Sequence, residues 1–165
     1  MSTTETLYSD ATLLVAAQRN LLILAWTDAP SAAQLRECGR LGRVLGRKHP
    51  GGIAMLDLLI SGTAKFSNEM REEAVKITRD PKLFRLGVAD VVLVSGLVGV
   101  AARAFLSTVA LIGRPVVPNR MFGNLADATA WLAPKLALGG EPWSAAEIIA
   151  IAEPIVKARR QPKAV

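Results

Sequence analysis

The run Gly52-Ile53-Ala54-Met55-Leu56-Asp57-Leu58-Leu59-Ile60 is apolar almost throughout, and so is Val88-Ala89-Asp90-Val91-Val92-Leu93-Val94. Each has the length of a strand, and an unbroken apolar strand is what a sheet covered on both faces requires. Between them Ser67 is placed to cap a helix over residues 68–78, with Glu69, Glu72 and Glu73 in early turns where the helix dipole favours acids. Strand, helix, strand is the signature of a parallel crossover.

Working outward, residues 12–17 and 21–26 are short apolar runs separated by Gln18-Arg19-Asn20, which reads as an antiparallel hairpin. Pro30-Ser31 and Gln34 then form a capping box for a helix that ends at His49-Pro50-Gly51-Gly52. After residue 94 the pattern predicts an apolar helix over 97–112 stopped by Gly113-Arg114-Pro115, a short strand near 120–122, and a helix over 125–138 capped by Asn124. Ser144 with Glu147 starts a C-terminal helix over about residues 144–160, which Pro154 should kink or divide. The fold class is therefore α/β: a mixed, largely parallel central sheet opened by an antiparallel hairpin, with helices packed on it and an extra C-terminal helix.

The 165 residues suit one domain with a core over about residues 11–138, and 51% apolar with 21% charged residues is a globular balance. Residues 1–5 and 159–165 read as frayed ends. The single cysteine, Cys38, excludes an internal disulfide and a cysteine-built zinc site, and fits a cytoplasmic setting. The first ten residues are polar and acidic, unlike a secretory signal. The apolar stretch 91–112 is long, but Ser95-Gly96 splits it and Arg103 interrupts it, so a membrane span is not expected. A net charge of +6 favours acidic partners, of which a protein face fits better than nucleic acid.

Catalytic and metal chemistry find little to work with, and no cofactor is expected. His49 is the only histidine and reads as a surface residue in a loop, and nothing in the spacing brings it to Cys38. Asp57 and Asp90 lie in strands and would interest a chemist only if they converged; each is expected to cap a loop or pair with a nearby arginine. Ser95-Gly96-Leu97-Val98-Gly99 lacks both G-x-G-x-x-G and the P-loop lysine, and reads as a tight turn with close helix packing.

Two surfaces stand out instead. At about 100° per residue, Arg36, Arg40, Arg43 and Arg47 fall within an arc of roughly 60°, a ridge suited to carboxylates or phosphates of a partner or to solvated pairing with Glu37 and neighbouring acids. Leu35, Cys38, Leu41 and Leu45 project from another side to cover the sheet, and Gly39, Gly42 and Gly46 form a third stripe. The helix over 97–112 is apolar nearly all round, with Val98, Ala101, Phe105 and Val109 on one side; its surplus calls for cover by the C-terminal helix, a homodimer partner or a hydrophobic ligand.

The segment 88–94, the helix after it, and Met121-Phe122-Gly123-Asn124 through Ala128-Thr129-Ala130-Trp131-Leu132 resemble the second half of a STAS-like, SpoIIAA-like domain. The resemblance spans residues 20–136. It implies the fold of anti-sigma-factor antagonists and Sec14-like lipid binders: a regulatory or scaffold module that binds a protein, with a hydrophobic small molecule or lipid as the alternative cargo. It also implies that a serine opening the helix after the central strand is a phosphorylation site. Ser67 holds that place, within Phe66-Ser67-Asn68-Glu69 instead of Asp-Ser-Ser-Gly or Asp-Ser-Thr-Gly, and on the residues alone it is an N-cap.

Overall fold

A computed structural model describes residues 2–161. Six strands lie in sequence order across one sheet: β1 (Glu5–Ser9), β2 (Leu13–Gln18), β3 (Leu21–Trp26), β4 (Ala54–Leu59), β5 (Gly87–Val92) and β6 (Asn119–Phe122). The first three are antiparallel and the rest join in parallel. The helices are α1 (Ala32–Lys48), α2 (Asn68–Arg79), α3 (Gly96–Gly113), α4 (Leu125–Ala137) and α5 (Ala145–Arg160). The expected α/β class, the opening hairpin and the C-terminal helix are all present.

Strand order decides where the helices go. From β3 to β6 each parallel strand is added on the same side of the last, and right-handed crossovers then put α1, α2 and α3 on one face. That face buries Leu35, Cys38, Leu41 and Leu45 of α1 and Met70 of α2 over Leu22, Leu24, Trp26, Met55 and Val88. The opposite face is covered by α4 and α5, through Leu132, Leu136, Ile148 and Ala152 on Leu21, Ile23, Leu56, Leu58 and Val91. The C-terminal helix therefore docks on its own core, but on the side away from α3, and so does not supply the cover expected for that helix.

Several local expectations change. An additional edge strand, β1, precedes the hairpin; its residues Glu5, Thr6 and Ser9 are exposed, and a polar edge strand with a bulge between Thr6 and Tyr8 leaves no apolar run to read. Pro154 does not divide α5, which runs as one helix over Ala145–Arg160. Arg159 and Arg160 are helical, not frayed, and both terminal guanidinium nitrogens of Arg159 donate to the Asp10 carbonyl; residues 162–165 lie outside the described residues. Of the three α1 glycines, Gly42 has a packing reason: a Cβ there would come within 2.9 Å of both Leu83 and Phe84, whereas one on Gly46 would meet open space.

Asn20, 1% exposed, ties the two faces together at the end of the hairpin. Its amide donates to the carbonyls of Gly52 (3.3 Å) and Leu136 (3.2 Å), and its oxygen accepts from Trp143 Nε1 at 2.8 Å. Arg19 lies over the Trp143 ring at 3.6 Å and donates to the Pro142 carbonyl. A buried amide that satisfies three groups from three separate segments leaves all three unpaired when removed. Asn20→Ala is expected to cost about 2–3 kcal/mol in urea unfolding, and Trp143→Phe, which frees the Asn20 oxygen, about 1 kcal/mol.

Candidate functional site

In a strand, alternate side chains share a face. On β4 this turns Met55, Asp57 and Leu59 toward α1, α2 and α3, and on β5 it turns Val88 and Asp90 the same way. Asp57 and Asp90 are direct partners in the parallel register. Two carboxyls thus meet inside an apolar layer, each placed to act on the other's proton. Trp26, 2% exposed and two positions further along β3 than Leu24, the partner of Asp57, donates its Nε1 proton to Asp57 Oδ1 at 2.7 Å.

The expectation that each aspartate would cap a loop or meet an arginine is therefore wrong. Among the described residues neither forms an ion pair, because the face they share is built from aliphatic and aromatic side chains. Burial raises the Asp57 carboxyl above its ordinary range, against the hydrogen bonds from Asp90 and Trp26. Burial, and then the charge of Asp57, raises Asp90 well above that range. The pair is thus stable with a shared proton, since two like charges at this distance in a poorly solvated layer cannot both persist.

Above the pair the helices leave a cavity of about 100 Å³. Its walls include Leu24 and Met55 of the sheet, Leu35 and Cys38 of α1, Ile77 of α2, and Phe105 and Val109 of α3. Phe66 and Phe105 stack at 4.7 Å along one side. Asn119, which is exposed, also lines the space, so the cavity reaches the surface beside the connection from α3 to β6. Cys38 is buried in its wall, and desolvation, with the nearby Asp57 charge adding to it, pushes the thiol well up and makes it a poor nucleophile.

His49 is half-buried and not a free surface residue: its Nδ1 lies 2.8 Å from Glu141 Oε1 at the C-terminal end of α1. Eleven residues of helix separate it from Cys38, about 16 Å, so the two do not form a nucleophilic pair. Among the described residues no group of three or more His, Cys, Asp or Glu is arranged to hold a metal ion.

The arginine ridge is mostly spoken for. Arg36 pairs with Glu73 of α2 at 3.1 Å, Arg40 with Glu37 at 2.6 Å, and Arg43 lies 3.9 Å from Asp80, while Arg47 is exposed with no ion pair among the described residues. On α3, Phe105 and Val109 face the cavity, and Val98 and Ala101 are half-buried. The large apolar groups open to solvent there are different ones, Leu97 at 87%, Val100 at 62% and Leu111 at 77%. By length and hydropathy α3 could cross a membrane, yet it is fitted to its neighbours: a Cβ on Gly99 would collide with the Val94 carbonyl, and one on Gly113 with Thr78 of α2. Ser67 caps α2, its hydroxyl accepting from the Met70 amide at 3.2 Å. On α4, Trp131 packs at 5.5 Å on Phe122 and Leu132 is fully buried.

Comparison with known proteins finds no family model, no curated protein and no solved structure that matches the chain.

The raised carboxyls have a thermodynamic consequence. The folded pair holds a proton that the unfolded chain releases above about pH 4, so stability falls as pH rises from there through the folded values. Asp10, Asp28, Glu37, Glu73 and Glu147 have lowered carboxyls and act oppositely, losing their contribution only as pH drops below the ordinary range. Asp90→Asn, whose amide can donate to Asp57 without titrating, is expected to flatten the alkaline slope of about 1.4 kcal/mol per pH unit per proton in a series of thermal melts.

Proposed function

We propose that this chain is a non-enzymatic, cytoplasmic binding module of STAS-like type whose site is the cavity between the sheet and α1, α2 and α3. The observation that carries the reading is an apolar space with one polar floor, the Asp57–Asp90 pair, reaching the surface at Asn119. Small-molecule sites are commonly built this way, with apolar walls for affinity and a few convergent polar groups for orientation. The other titratable group of the wall, Cys38, is a poor nucleophile, which favours reversible binding over covalent chemistry. Of the two roles the sequence suggested, the carrier or sensor of a hydrophobic small molecule is thus the better supported.

The test is direct. Native mass spectrometry of freshly purified protein is expected to show a co-purifying small molecule, and isopentanol or isobutanol at ten times its Kd to stabilise the stripped protein by about 1.4 kcal/mol. Ala110→Phe, which fills the cavity from α3, is expected to abolish that gain. A protein whose melting temperature ignores both probes, with nothing co-purifying, would end the reading.

The exposed row Leu97, Val100 and Leu111 favours a second reading, a regulatory or scaffold module that binds a protein or a second copy of itself through α3. The exposed Arg47 and the ion-paired Arg36, Arg40 and Arg43 would meet an acidic face only by exchanging their present partners. Phosphorylation at Ser67 belongs with this reading, where phosphate would meet the free amides opening α2. Sedimentation equilibrium distinguishes the homodimer: wild type is expected to dimerise and Leu97→Glu with Leu111→Glu to remain monomeric.

A further inference from the structure

We infer that the cavity selects a small amine, an ammonium group on a short apolar body, over neutral and acidic molecules of the same shape. The inference rests on the small-molecule reading above and adds the charge of the ligand to it.

The floor of the cavity is what distinguishes it from a plain apolar void. Asp90 is 8% exposed and lines the space, and among the described residues its carboxyl receives no hydrogen bond from outside the acid pair. Asp57 keeps some accessible surface, lines the same space, and has Trp26 Nε1 as its one donor besides Asp90. Asp90 holds its proton the more strongly, so Asp57 is the carboxyl left to ionise, and a cation beside it favours that ionised form. No lysine, arginine or histidine among the described residues forms an ion pair with either.

A buried charge with no counter-charge is costly; without a ligand the pair meets that cost by holding its protons, and a cation that brings its own donors meets it by pairing with the ionised carboxyl. An ammonium group offers up to three N–H donors, and the carboxyl pair has unfilled acceptor positions. A carboxylate ligand would place a second negative charge against the pair and is excluded. A hydroxyl could donate one hydrogen bond and leave the charge uncompensated. The rest of the lining is mainly apolar, so the charged head is sorted to the floor and the body to the walls.

Size sets the rest. A cavity of about 100 Å³ leaves room for only a few heavy atoms, so the body is a short aliphatic chain.

The experiment uses three molecules that differ in the head group: isopentylamine, isopentanol and isovalerate, titrated calorimetrically into the wild-type protein at neutral pH. Isopentylamine is expected to bind at least tenfold more tightly than isopentanol, and isovalerate not at all. The double variant Asp57→Asn with Asp90→Asn, isosteric, without a carboxyl at the floor and shown to be folded by circular dichroism, is expected to bring amine and alcohol to within about twofold of each other. If isopentanol binds and the amine is less than tenfold tighter, or if the preference survives both substitutions, the inference is overturned while the cavity reading stands. If none of the three binds, both fall together. The wild-type comparison alone decides the matter should the double variant fail to fold.

Discussion

The constraint on which the rest depends is the handedness of the crossovers in a sheet whose strands never reverse their order. Had the chain turned back after β4, successive helices would have alternated between faces, and the turning point would have opened the usual ligand crevice of parallel sheets. Here β3 to β6 advance one way, so α1, α2 and α3 crowd one face and the other is left bare until the chain has finished its strands. That bare face is the reason α4 and α5 are packed where they are, and the reason Asn20 and Trp143 meet: the hairpin end must hold both layers in place.

The same constraint shapes the site. With three helices in a row over a few strands, α3 is last and stands over the far edge, supported by α2 and β5 on its inner side and by nothing among the described residues on its outer side. Its inner residues Ala102, Phe105 and Val109 close the cavity, and its outer residues Leu97, Val100 and Leu111 face solvent. Apolar character all round this helix thus has two separate causes, a roof beneath and a free face above.

The acid pair is a local cost held by the surrounding packing. A leucine at either position would bury more apolar surface and raise no proton question. The fold tolerates the carboxyls because the shared proton and the Trp26 indole satisfy most of what burial removes. Polar groups kept at such a cost commonly mark where a protein meets something else.

Much of this molecule was legible in the residues themselves. Strand and helix identities followed from local signals, because a capping box such as Ser31 with Gln34, or an apolar run such as residues 52–60, acts within a few residues of itself. The core face of α1 and the N-cap role of Ser67 followed for the same reason. The polar edge strand β1 did not, since its pairing with β2 and not its composition makes it a strand. Nor did the site: Asp57 and Asp90 are 33 residues apart, and only the register of β4 against β5 sets them face to face. Arg36 and Glu73, 37 residues apart, are joined by helix packing in the same way. Local sequence determines what each segment becomes; which side chains share a face across segments is decided by strand register and crossover handedness, which exist only once the sheet has formed.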